Sequence, residues 1–256
     1  MNTVNKKQFP MSPASNTEKS NALNFDRPLT TVDVVIFSVL DDQLQVLLVR
    51  RPDDLGEPFP NTWALPGGFV NVDIDTSLAA CAKRKLLEKT GVRSPYLEQL
   101  GSWGGAKRDP RGWSATHAYF ALIPAQELKL QEGGNAQEVG WRPVKTLQPR
   151  NKMAFDHSEI VQAAVERLRS KVEYTSLPAF LLPEPFTLPQ LQRMYEVILG
   201  REVDKSGFRT RALAADFLKE TGHMDVGSPR PAMGYLIKDR EKVVFFPRTF
   251  SPRDIH

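Results

Sequence analysis

Apolar and polar positions divide the chain into short periodic segments. Over residues 31–51, "TVDVVIFSVLDDQLQVLLVRR" reads as two β-rich runs joined at Asp41-Asp42-Gln43, which predicts two strands and a tight turn. A loop rich in Pro, Asp and Gly follows from Pro52 to Asn61, and "TWALPGGFV" then enters a glycine turn. "SLAACAKRKLLEKTG" changes to helical spacing through Leu78, Cys81, Ala82, Lys85 and Leu86, with Ser77 as N-cap and Gly91 as the stop. Three more strand patterns follow: "YLEQLGSWGGA", "SATHAYFALIP" and "EVGWRPV", with a turn at Gly134-Asn135. Strands, one helix and strands again, without regular βαβ alternation, predict an α+β domain around a mixed sheet.

The pattern changes after Arg150. "HSEIVQAAVERLRSKV" is an amphipathic helix with Ile160, Ala164, Val165 and Leu168 on one side. "YTSLPAFLLPEPF" is an irregular apolar bridge. "TLPQLQRMYEVILG" opens on Thr187 as N-cap, has Pro189 in its first turn and stops at Gly200. "REVDKSGFRTRALAADFLKETG" predicts a further helix, capped by Asp204 or Ser206 and ended by Gly222. "YLIKDREKVVFFP" reads as strand, charged turn and strand. Helix, helix, short turn, helix and hairpin is the order of a winged helix-turn-helix. The chain therefore divides into a flexible tail (1–26), a first domain (27–150) and a second (151–256), with a linker near 145–157.

Composition narrows the options. The apolar share is 41%, ample for packed cores. The longest apolar runs, such as Val34–Leu40, are too short to cross a bilayer. The polar N-terminus lacks a secretory signal, so the expected location is the cytoplasm. With Cys81 as its single cysteine, the chain has no intramolecular disulfide and no cysteine-built metal cage. The net charge of +4 is compatible with nucleic-acid or phosphate partners.

The segment "GGFVNVDIDTSLAACAKRKLLEKTGV" carries the candidate chemistry. It resembles the Nudix box, in which a glycine is followed by a glutamate and then by Arg-Glu-apolar-x-Glu-Glu-x-Gly-apolar. Gly68, Arg84, Leu86, Glu88, Gly91 and Val92 match, and the upstream "FPNTWALPGG" is Nudix-like as well. The Gly68-to-Arg84 spacing is two residues longer than the pattern. The early glutamate is missing: Ile74 stands at the strict spacing and Thr76 at the spacing counted back from the helix. Lys85 and Lys89 replace two acids. Magnesium takes hard oxygen ligands, and an ammonium a helical turn away repels a dication. Glu88 alone remains of the helix carboxylates, and at i,i+4 from Arg84 it is placed to pair with it. No catalytic residue, metal ligand or required cofactor is therefore assigned. Lys85 and Lys89 are either ordinary solvated residues or the source of the positive charge a metal would supply.

"KRDPRGW", Lys107 to Trp113, places three cations and an aspartate in what reads as a loop between strands. This segment, together with residues 171–213, resembles the Nudix-related transcriptional regulators of NAD metabolism; the likeness runs over about residues 30–248. The resemblance implies a mixed sheet sandwiched by helices and a winged helix-turn-helix. It also implies a bacterial repressor of NAD biosynthesis or salvage genes, with double-stranded operator DNA as partner, ADP-ribose or a related nucleotide as effector, and a homodimer formed largely through the Nudix domain. The candidate effector residues are Arg50, Arg51, Arg84, Lys85, Glu88, Lys107, Arg108, Asp109 and Arg111. Trp63, Phe69 or Trp113 are candidates to stack on adenine.

In a helix-turn-helix the second helix enters the major groove. Here it begins near Lys205 or Ser206, and Arg209 and Arg211 lie about 200° apart on an ideal helix. One is placed to read a guanine and the other to hold phosphate. Arg201 and Arg230, the latter between two prolines of a wing-like "GSPRPAMG", complete the DNA candidates. From Ser158 onward there are fifteen Lys and Arg against thirteen Asp and Glu, so affinity has to come from placement. The competing readings are an active Nudix hydrolase of ADP-ribose or another nucleoside diphosphate derivative, with Glu88 and Asp73 or Asp75 attracting a cation, and a protein-binding scaffold.

Overall fold

The computed structural model describes residues 27–91, 96–127, 138–147, 153–225, 227 and 231–246. Val92, Arg230 and the turn at Gly134-Asn135 lie outside them. A mixed seven-stranded sheet is built from β1 (Leu29–Leu40), β2 (Gln43–Arg50), β3 (Trp63–Ala64), β4 (Gly67–Phe69), β5 (Tyr96–Asp109), β6 (Gly112–Leu122) and β7 (Glu138–Pro143). Its main path runs β3-β2-β1-β6-β5, with β4 paired to β1 and β7 to β2. The β1–β6 pair is parallel, and the other pairings are antiparallel. The β1–β2 turn places Asp41 and Asp42 at φ 49° and 55°, the left-handed pair that a two-residue hairpin favours.

The period-2 pattern of β1 decides the layers. Val32, Val34 and Ile36 face helix α1 (Leu78–Thr90) together with Cys81, Ala82 and Leu86. Val35 and Phe37 face the opposite way, towards α2 (His157–Val172) and its Ile160, Val161, Ala164 and Leu168. The result is a sheet between two helices, an α+β sandwich. Ser77 caps α1 by accepting from the Ala80 N–H at 3.1 Å, and Gly91 closes it in the left-handed region at φ 68°.

The second unit comprises α3 (Leu188–Leu199), α4 (Lys205–Ala214) and a small sheet in the order β8-β10-β9, from Phe186–Thr187, Ala232–Ile237 and Leu218–Met224. Thr187 and Gln190 form a reciprocal capping box on α3, and Asp204 caps α4 by accepting from the Gly207 N–H at 2.6 Å. This is a winged helix-turn-helix.

Two expectations fail here. The helix expected to run to Gly222 ends at Ala214; Asp216 turns at φ 54°, and Leu218–Met224 pairs with β10 as a strand. Its residues lack a strand's apolar alternation, so the pairing is supplied by tertiary structure. The second strand expected near 243–247 does not form a hairpin with β10. That segment instead crosses back to residues 174–176, with the Phe246 N–H donating to the Tyr174 carbonyl at 2.8 Å and the Ser176 N–H to the Val244 carbonyl at 2.9 Å.

α2 belongs to both packing problems. One apolar cluster runs from Val35 and Phe120 in the sheet, through Leu168 and Val172, to Leu191, Phe208 and Phe246. Nor are residues 153–157 a free linker. The Ala154 N–H donates to the Trp63 carbonyl at 2.9 Å, and His157 accepts from the Leu65 N–H at 2.9 Å. Leu168 is fully buried at this junction. Leu168→Ala is expected to cost about 2–5 kcal/mol, read as a lower urea midpoint of the full chain.

Candidate functional site

A cleft of about 730 Å³ opens between β4, the following loop, α1, the β5–β6 tip and the start of α2. The glycine turn shapes its floor. A Cβ on Gly67 would meet the Asp33 carboxylate at 2.0 Å, and Gly68 sits at φ 147°, so both positions require glycine. Six Lys and Arg line the cleft with four Asp and Glu, and Asp75 and Asp156 pair with two of those arginines from just outside the lining.

The deepest charges form a connected set. Asp33, on the α2 face of β1, is 5% exposed. It accepts from the Thr116 hydroxyl at 2.7 Å, lies 3.3 Å from Arg108 and faces His157 Nε2 at 3.5 Å. Because His157 Nδ1 accepts from the Leu65 N–H, the ring proton sits on Nε2 and points to Asp33. Arg108 also donates to Asp156 at 2.9 Å. Burial pushes the Asp33 carboxyl upward, but His157, Thr116 and Arg108 outweigh it and hold it below the ordinary 3.8. Phe155, at φ 53°, lies beneath the guanidinium groups of Arg51 and Arg108, 5.2 and 5.3 Å from its ring centre.

The other arginines are equally committed. Arg111 clasps Asp109 at 2.9 and 3.1 Å and lies over the Phe69 ring at 5.3 Å. Arg51 donates to the Pro58 carbonyl at 2.8 Å and to Glu57 at 3.1 Å. Arg84 grips Asp75 at 2.6 and 2.8 Å, which holds that carboxyl well below the usual range, and reaches Glu88 at 2.9 Å.

Of the residues singled out from sequence, Arg51, Arg84, Lys85, Glu88, Arg108, Asp109, Arg111 and Phe69 line the cleft. Arg50 does not; it points to Glu138 at 3.5 Å on the sheet edge. Lys107 is exposed on β5, because the supposed loop is a continuation of that strand with its turn at Pro110-Arg111. Trp63 stacks under Arg142 at 4.4 Å, and Trp113 is exposed; neither lines the cleft. Sequence reasoning missed Asp33, Glu57, Phe155, Asp156 and His157. A charged residue inside the apolar run "VDVVIF" was the available signal for Asp33.

The magnesium ion that the Nudix fold implies does not fit these residues. Glu88 is spent on Arg84 and on Lys85 at 3.4 Å, and both Asp75 oxygens are held by Arg84. Among the described residues no three His, Cys, Asp or Glu side chains converge on a point.

The second candidate surface is α4. Lys205, Ser206 and Arg209 are exposed, whereas Phe208 and Ala212 are buried. Arg211, exposed as well, turns the other way and lies 5.5 Å from the Phe246 ring centre, as the 200° separation requires. Arg201, at the α3–α4 turn, pairs with Glu173 at 3.3 Å. Lys219, Thr221 and His223 are exposed along β9 beside α4.

Comparison with known proteins decides the family. The NUDIX domain profile matches residues 29–164, and the NrtR DNA-binding winged helix domain profile matches residues 178–237. An ADPR responsive transcriptional repressor NtrR from Acinetobacter baylyi is 45% identical over 229 residues, 88% of each chain. The chain belongs to the NrtR family. NrtR from Shewanella oneidensis complexed with a 27mer DNA is 42% identical, with a TM-score of 0.77 over 86% of this chain and 98% of that one. The NUDIX domain of the same NrtR complexed with ADP ribose is 43% identical, with a TM-score of 0.51 over 56% of this chain and 90% of that domain. The NUDIX match runs into α2, in line with the packing of that helix on the sheet.

The buried charge set makes a pH-dependent prediction. A carboxyl held below 3.8 contributes its full stability above that pH, and the contribution is lost as the pH falls through the folded value. Asp33→Asn removes one of the two carboxylates of Arg108 and the charge that faces His157, and is expected to cost about 3 kcal/mol at neutral pH. Denaturation at a series of pH values should show the gap to wild type closing only below about 3.8.

Proposed function

We propose that this chain is an ADP-ribose-responsive transcriptional repressor that binds operator DNA of NAD biosynthesis or salvage genes as a homodimer in the cytoplasm. The observation that carries the reading is the pairing, in one chain, of a cation-lined Nudix cleft whose remaining box carboxylates are already held by Arg84 and Lys85 with an exposed helix-turn-helix. The relatives bound to DNA and to ADP ribose support both halves. No helix among the described residues is long and apolar enough to cross a membrane.

The roles follow from placement. Lys205, Ser206 and Arg209 meet DNA from the outer face of α4, with Arg209 the residue for a base edge. Arg211 supports that helix from behind and Arg201 flanks its turn. Phe69 and the Arg51, Arg108 and Arg111 group receive the nucleotide. The chain does not hydrolyse it, because metal-assisted attack on a diphosphate needs oxygen ligands that this helix lacks.

Effector and DNA are coupled through α2. Its first turn lines the cleft at His157, and near its end the Arg169 guanidinium donates to the Ile198 carbonyl of α3 at 3.0 Å. A ligand weakens DNA binding only by favouring the conformation that binds DNA less well. Phosphates competing with Asp156 for Arg108 provide that difference at the cleft end, and α2 carries it about 18 Å to α3.

A gel shift on the upstream DNA of NAD-pathway genes, titrated with ADP-ribose, tests the reading. Release of bound DNA is expected, with no magnesium-dependent hydrolysis in parallel. Indifference to saturating ADP-ribose, or robust turnover, overturns it. In the same assay Arg209→Ala is expected to weaken operator binding about 5- to 150-fold and to relax discrimination at one base pair. Lys205→Ala should weaken all sequences alike and flatten the salt dependence.

A further inference from the structure

We propose that Lys85 takes the place of the divalent cation in the cleft, its ammonium neutralising the effector's diphosphate so that binding needs no metal. This rests on the functional reading above and adds the chemical basis of recognition.

The first support is position. Lys85 stands at an acid position of the Nudix box, on the α1 face that lines the cleft. Its side chain is 18% exposed, and Nζ comes within 3.2 Å of where a Cβ on Gly68 would stand. The ammonium is therefore held against the glycine turn rather than released to solvent. A side chain at position 68 would push it away, which gives Gly68 a second reason to be glycine.

The second support is how the cations are occupied. Arg51, Arg84, Arg108 and Arg111 each hold a partner oxygen at 2.6 to 2.9 Å. Lys85 has Glu88 at 3.4 Å, and Arg84 competes for that carboxylate from 2.9 Å. An ammonium has three donors and meets a phosphate as a point charge. A third observation agrees. Lys89, one turn along α1 and in the same cleft, has its amine held below the usual lysine range by burial, Glu88 opposing and Lys85 adding to the effect. Two ammonium groups one turn apart on the same face of the cleft repel each other, and an anionic ligand between them relieves that repulsion.

Calorimetric titration of the full chain with ADP-ribose, once in EDTA and once in magnesium chloride, tests this. Equal affinity in the two buffers is expected. Lys85→Ala should weaken binding about 10- to 100-fold, the worth of a hydrogen bond to a charged group. Lys85→Arg should keep metal-free binding. Lys85→Glu should bind worst in EDTA and regain affinity when magnesium is added. Adenosine, which has no phosphate, should bind wild type and Lys85→Ala alike. A wild-type requirement for magnesium, or unchanged ADP-ribose affinity in Lys85→Ala, overturns the proposal alone. Failure of wild type to bind ADP-ribose in either buffer removes the functional reading and this inference with it. Unfolding midpoints of the variants identify any that fail to fold, and Lys85→Gln then replaces Lys85→Ala.

Discussion

A carboxylate in the middle of an apolar strand stays ionised only if cations and donors surround it. Asp33 meets that condition with Arg108, Thr116 and His157, and the way it does so organises the molecule. Arg108 reaches it from the end of β5, Thr116 from β6, and His157 from the first turn of α2. The set therefore joins the sheet, the hairpin tip and the helix that leads to the second domain. It also fixes the walls of the cleft, since Arg108 ties the carboxylates of Asp33 and Asp156 together. A buried ion set is weak evidence for stability, because desolvation offsets much of the attraction. Its value here is geometric: it sets where α2 begins.

What could be read from the chain was local. The β1–β2 hairpin, the caps of α1 and α3 and the amphipathic face of α2 depend on residues within a few positions of one another. The segment from Ala215 to Gly222 was misread because its strand state comes from β10, and its own residues have no alternating apolar pattern. "KRDPRGW" was misread because turn dipeptides hid a strand that continues to Asp109. The cleft was half legible. Its box residues stand in a recognisable run, whereas Phe155 and His157 reach it from more than 60 positions beyond Val92. Arg50 and Lys107 show the limit of charge counting: adjacent residues on a strand point to opposite faces, so one of each basic pair had to face away.

The cleft and the helix-turn-helix share one apolar core and so do not move independently. Domains joined by exposed linkers drift relative to one another, whereas packed interiors switch between discrete arrangements. The position of α2 suits the second kind of behaviour. Its buried side chains contact the sheet and α3 at once, and its two ends meet the cleft and the last turn of α3. The β1–β2 tip adds a surface contact, where Arg193 of α3 donates to Asp42 at 3.0 Å. Exposed as it is, that pair counts for little in stability but marks where the sheet touches α3.

Cys81 has a practical consequence. It is fully buried on the sheet-facing side of α1, and burial followed by the neighbouring Asp75 pushes its thiol up to about 11. A thiol in that state yields little thiolate at neutral pH and is shielded from reagents. As the only sulfhydryl in the chain, it is expected to leave the native protein slow to react with maleimide. Fluorophores or spin labels can therefore be attached through cysteines introduced at solvent-facing positions, with the natural residue left in place, and the distance between the cleft and the DNA-facing helix followed in solution.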